Sequence, residues 1–290
     1  MHEWPLIIFT LLMQITIGCV VTVWYCHTFI FTTLPDDKRL KLASPALLCA
    51  LLCGGIGLLA SVAHLGNPWH ALFTLSHVAS SWMSREILFT ALFMGLLFLT
   101  LVYALVKKQL PTILLGLTAL VGVADIFVMS AIYDHSRFIL WQGWGTYAGF
   151  YGSAFMMGSL LYALCLWPRL HQLAENESAR VMTPLLRLYL LGFVLATFAV
   201  IVMFSAVAPN LAQGISIKTA AVNVGTLTLW RYLLLGIALA LLVTYVVRLP
   251  RKSLPALLSL ALMITITGEF LGRYAFFSVG GALLNKSNFC

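Results

Sequence analysis

Two side chains stand where an apolar chain has little reason to put them. His64 closes the run ending "SVAHLGNPW", and Glu86 opens the run beginning "SREILFTAL". A neutral imidazole accepts a hydrogen bond or a proton near neutral pH, and a carboxylate does the same. Held in one membrane layer, the two have the chemistry to bind a hydroxylated ring from the bilayer and take its proton. Arg85, next to Glu86, is expected to orient the carboxylate. The plainer alternative is that His64 caps a helix end and Glu86 pairs with a neighbouring cation at a helix start. From the residues alone both readings stand open.

Four more charged residues fall inside apolar runs, where a charge is costly and needs a partner or a task. Glu269 and Arg273, in "TGEFLGRYAFF", are spaced i,i+4 with the acid first, a favourable helical ion pair. Asp125, in "GVADIFVMS", must face protein or water, with Arg231 or Arg273 as candidate partners. Arg231, in "LTLWRYL", could anchor a partner, a lipid or a ring carbonyl. For these four, a structural role and a place on a proton path are both open. His70 and His77 read as polar tips at the membrane interface.

The elements that must position these groups are apolar helices. The 290 residues are 61% hydrophobic and 9% charged, against roughly 25% charged in a soluble domain. Apolar runs long enough to cross about 30 Å of hydrocarbon recur along the sequence, without the alternation of a β-barrel. The expected fold is an all-α bundle of eight transmembrane helices forming a single integral membrane domain over 1–290. The spans are placed at approximately 5–33, 45–64, 85–106, 112–133, 146–167, 185–207, 229–248 and 256–277. Pro5, Pro45, Pro111, Pro184 and Pro255 stand at or just before span starts, where a missing N–H costs little.

Charge gives these spans a direction. Lys38, Arg39, Lys41, Lys107, Lys108, Arg169, Arg180, Arg187, Arg248, Arg251 and Lys252 follow odd-numbered spans, 11 of the 17 basic residues. By the positive-inside rule those loops are cytoplasmic and both termini lie outside. His64 and Glu86 then share the outer layer. The net charge of +8 reads as basic loops at anionic headgroups, with no nucleic-acid partner. The connection from 65 to 84 is too apolar for a solvated loop, and a re-entrant or interface-lying helix is expected.

Redox cofactors held by the protein itself are disfavoured. The six cysteines form no CxxC pair, which argues against an iron–sulfur cluster, and Cys49 and Cys53 at i,i+4 read as packing. No other set of residues suggests a metal site. His27 belongs to the inner end of the first span and His64 to the outer end of the second. No axial pair at matched depth results, so haem is not expected.

Four stretches, "HEWPLIIFT", "HLGNPWHAL", "SSWMSREILF" and "GEFLGRYAFF", resemble in the same order the membrane anchor subunit of the anaerobic dimethyl sulfoxide reductase family. More distantly they are similar to the eight-span anchors of polysulfide and nitrite reductases. The resemblance implies an anchor in the bacterial inner membrane that binds menaquinol and carries no cofactor of its own. It also implies two partners on the periplasmic face, an iron–sulfur electron-transfer subunit and a molybdopterin catalytic subunit, serving anaerobic respiration. The family's quinol-site histidine falls on His64 and its essential glutamate on Glu86. Gly66, Trp69, His70 and Arg85 would line the same site, His70 standing where the family often has arginine. On this reading menaquinol releases two protons outward and passes two electrons to the partner's cluster. A secondary transporter and a purely structural anchor are the alternatives.

Overall fold

In a bilayer each backbone amide must find its partner within the protein, so an apolar sequence of this kind resolves into helices. The computed structural model describes residues 4–64, 75–136, 138–170, 175–212, 218–248 and 254–284. Side chains at several helix ends, that of His64 among them, lie outside the description. The described residues contain no strand, and eight helices are long and apolar enough to span a membrane. They are α1 (Trp4–Tyr25), α2 (Asp36–His64), α3 (Trp82–Lys107), α4 (Thr112–Asp134), α5 (Trp144–Leu170), α6 (Glu175–Ala212), α7 (Lys218–Arg248) and α8 (Leu254–Leu284).

The ends of these helices refine the sequence reading. α1 gives way to a π-helical turn, Cys26–Ile30, so the first span stops at Ile30, short of 33. α2 begins at Asp36, well ahead of Pro45, which lies inside the helix. Asp36 and Asp37 favour the helix N-terminus and pair with Arg39 and Lys41 one turn on. That charged first turn outweighs the proline as the start signal. Pro184 likewise lies inside α6. Of the apolar connection after α2, residues 65–74 lie outside the described residues. Its remainder is a short 3-10 turn, Leu75–His77, leading to Ser81, whose side chain accepts from the Ser84 amide and caps α3.

α1 and α5 form the centre of the bundle. α1 is buried nearly all round and packs on α2, α4 and α5, with a smaller contact to α8. α5 packs on α6 as well, and α3 pairs with α4 and α7 with α8. At the crossing of α1 and α5 the backbones touch: a side chain on Gly18 would run into the Ala154 carbonyl, and one on Gly158 into the backbone of Gly18. Close approach through small residues is how membrane helices gain contact where lipid removes the hydrophobic drive. The outward faces of α2, α3, α6 and α7 carry exposed Leu52, Leu59, Phe98, Val106, Val194, Ile201, Leu229 and Trp230, as lipid contact requires.

Successive spanning helices alternate in direction. The close of α2, the start of α3, the close of α4, the starts of α5 and α7 and the close of α8 therefore share one end of the bundle. Every buried acid discussed below belongs to that end.

Candidate functional site

The first polar region is built by α3 against α4. Glu86 sits in the second turn of α3 and is half-buried. One turn further in, Thr90 is buried and its hydroxyl faces both oxygens of Asp125 on α4, at 3.0 Å and 3.1 Å. Asp125 is fully buried and lies within electrostatic reach of Glu86. Two carboxylates and a hydroxyl thus form a polar seam running inward from the helix end. Among the described residues no ion pair is made to either acid.

Arg85 does not orient Glu86 in the way its position suggested. Its guanidinium turns back along the entry to α3, donating to the carbonyls of Val78 at 2.9 Å and Ala79 at 2.7 Å. It also lies 4.3 Å from the centre of the Trp82 ring. Successive helical residues point about 100° apart, so Arg85 and Glu86 leave α3 on different faces. The α2 backbone reaches His64, but its side chain lies outside the described residues, as do Gly66, Trp69 and His70. His77 is exposed, its Nδ1 2.9 Å from the Ser76 hydroxyl.

The second polar region lies between α5, α7 and α8. Glu269 is almost wholly buried and is held from two sides. Arg231 of α7 reaches its two oxygens through Nη2 at 2.9 Å and 3.0 Å, with Nε 3.3 Å from Oε1. Ser153 of α5 donates to Oε2. Gly272 makes room for this: a Cβ there would lie 2.7 Å from Arg231 Nε. Arg273, expected to pair with Glu269 along α8, instead lays its guanidinium over the Phe150 ring, 3.5 Å from the centre. Its Nε and Nη2 are buried and without hydrogen-bond partners among the described residues. The interhelical pair prevails because Arg231 approaches Glu269 in a fork, whereas Arg273 gains an aromatic face. Asp125, for which Arg231 and Arg273 were candidate partners, meets neither in the described contacts and is served by Thr90.

A cleft opens beside this cluster. It holds about 720 Å³ of unfilled space, its open mouth included, between α5, α6, α7 and α8. Arg231, Glu269, Arg273 and Ser153 line it, together with Phe150, Val202, Met203 and Phe276. A layer of rings braces one side: Tyr133, Phe150 and Trp141 pack around Phe276, and Trp141 donates to the Phe276 carbonyl at 2.8 Å.

At the opposite end of α1, His27 is buried, with Nε2 2.9 Å from the Tyr162 hydroxyl. The described residues contain no group of three or more His, Cys, Asp or Glu side chains arranged to hold a metal ion.

The family model for the DMSO reductase anchor subunit, DmsC, matches residues 1–279. The protein belongs to this family. It is 29% identical over 287 residues to the C subunit of the anaerobic dimethyl sulfoxide reductase of Escherichia coli (strain K12), an overlap of 96% of this sequence and 95% of that one. It is 27% identical over 285 residues to the anaerobic dimethyl sulfoxide reductase subunit YnfH of the same organism, with the same coverage. The C subunit from Haemophilus influenzae is 31% identical over 170 residues, 57% of this sequence and 60% of that one. The protein is thus a multi-pass membrane anchor of the DMSO reductase type.

Three side chains that contact these charged groups were not singled out in the sequence. Thr90, Ser153 and Phe150 are ordinary residues for a membrane helix, and helical Ser and Thr commonly bond to the carbonyl one turn back. Nothing in their spacing marks them. Their signal is interhelical, an acid on a neighbouring helix in need of a donor or an arginine in need of a face.

Proposed function

We propose that this anchor takes menaquinol from the bilayer where α2 ends and α3 begins, on the periplasmic side of the inner membrane. There His64 hydrogen-bonds one ring hydroxyl, and Glu86 accepts the proton of the other. Oxidation of one menaquinol to menaquinone releases two protons and two electrons. The electrons enter the nearest cluster of a partner iron–sulfur subunit and continue to a molybdopterin catalytic subunit, where a sulfoxide-class acceptor is reduced. The anchor supplies binding, orientation and a route for protons; the reductive chemistry belongs to its partners' cofactors. Gly66, Trp69 and His70 line the approach to this site.

The observation that carries this reading is the seam of Glu86, Thr90 and Asp125. A proton taken at Glu86 has oxygen atoms next to it, while Arg85 is engaged with two loop carbonyls. A quinol hydroxyl needs an acceptor, and this is a region of acceptors.

The test uses the assembled complex in membranes. His64→Ala and Glu86→Gln should each lower quinol-dependent sulfoxide reduction by a factor of about 10² or more, the usual size of a general base contribution. Reduction driven by a soluble dye, which bypasses the anchor, should be unchanged. Wild-type quinol-dependent rates in both variants would overturn the site and favour a purely structural anchor. A complex that never forms around this subunit would favour a transporter.

A further inference from the structure

We propose that the cleft between α5, α6, α7 and α8 is a second ligand site, suited to the oxidised, carbonyl-bearing ring of a quinone. Its own chemistry carries the assignment, whether or not His64 and Glu86 handle quinol.

The polar groups of the cleft are not equivalent. Glu269 is already engaged by the Arg231 fork and the Ser153 hydroxyl. Arg273 is not so engaged. Only 5% of its surface is exposed, and its Nε and Nη2 have no acceptor among the described residues. A buried guanidinium with idle donors is costly, since each lost hydrogen bond leaves a desolvation penalty behind. The remedy is an oxygen acceptor entering the cleft. The two arginines exceed the one glutamate, so the local charge also favours an electron-rich oxygen over a cation.

The walls decide what kind of molecule brings that oxygen. Phe150, Val202, Met203 and Phe276 give the cleft apolar and aromatic walls, with Gln142, Thr146 and Thr228 as polar lining beside the charged cluster. That is the usual lining for a flat organic ligand and a poor one for a hydrated ion. A quinone carbonyl is an acceptor only and matches the free donors of Arg273. A quinol hydroxyl brings a proton of its own, which needs an acceptor that the engaged Glu269 supplies less readily. The cleft therefore selects the oxidised ring, opposite to the acceptor-rich seam on α3 and α4. A phospholipid phosphate offers the same acceptor chemistry and is the competing source of the ligand.

Equilibrium binding of a short-tailed naphthoquinone to the purified complex tests this, in its oxidised and reduced forms. Bound phospholipid is measured on the same samples. Arg273→Met should weaken one class of naphthoquinone sites by about tenfold or more, as expected for a lost hydrogen bond to a charged donor. Val202→Phe adds bulk to the cleft from α6 while leaving every charged residue in the sequence, and should lose the same sites. If Arg273→Met does not assemble, Val202→Phe decides alone. The oxidised form should bind the affected sites more tightly than the reduced form. Unchanged quinone binding in the variants that assemble would overturn the proposal. So would loss of bound anionic phospholipid with quinone binding intact, which would make the cleft a lipid site.

Discussion

The two polar regions at the same end of the bundle solve the problem of a buried carboxylate in opposite ways. On α3 and α4, Asp125 is met by a hydroxyl, Glu86 stands beside it, and the nearest arginine is engaged elsewhere. On α7 and α8, Glu269 is locked by a forked guanidinium, with a second guanidinium alongside. The first arrangement leaves acceptors available to a ligand, and the second leaves donors. Burying an acid in a membrane protein thus fixes no role by itself; the partner on the neighbouring helix decides whether its charge is paired or left without a counter-ion.

The largest effect should come from breaking the locked region. Glu269→Gln leaves the buried Arg231 without its carboxylate, and breaking a buried pair on one side costs roughly 3–5 kcal/mol. Thermal unfolding of the purified complex should register it as a marked loss of stability. The double variant Arg231→Met with Glu269→Met should recover much of that loss, because replacing both partners by apolar groups removes the uncompensated charge. Equal stability of Glu269→Gln and the wild type would mean that the pair does not hold α7 to α8.

A smaller effect is expected in the open region. Thr90→Val keeps the shape of the side chain and removes the hydroxyl facing Asp125. A hydrogen bond contributes about 0.5–1.5 kcal/mol, so the loss should fall below that of Glu269→Gln. Thr90→Ser should restore it. If Thr90→Val is as stable as the wild type, Asp125 has another donor and the contrast between the two regions fails.

Much of this was legible in the sequence, and the missing part has one physical cause. Runs of apolar residues locate eight spans because hydrocarbon thickness sets their length, and charged first turns explain where α2 outruns Pro45. Asp125, Arg231, Glu269 and Arg273 were visible as charges needing partners. Their actual partners were not. Glu269 and Arg273 satisfy the i,i+4 rule, yet Glu269 pairs across to α7, because Gly272 opens the space Arg231 occupies. Spacing describes one helix at a time, whereas these contacts depend on how neighbouring helices are rotated. Thr90 and Ser153 are legible only after that rotation is known.

The smallest effect concerns Arg85 and separates two accounts of it. If its charge served Glu86 directly, Arg85→Lys would preserve function and Arg85→Gln would not. The contacts instead make Arg85 a positioning residue. Its forked donors tie the carbonyls of Val78 and Ala79 to the start of α3, with Trp82 against the guanidinium face. A lysine has no planar fork and cannot make both bonds in that geometry. Arg85→Lys and Arg85→Gln should therefore behave alike, each weakening a partly exposed contact by about 1 kcal/mol. Steady-state kinetics with a quinol donor should show KM for quinol raised about fivefold and kcat nearly unchanged, since the entry is loosened while Glu86 stays in place. A lysine variant with wild-type KM beside a defective glutamine variant would return Arg85 to a direct electrostatic role.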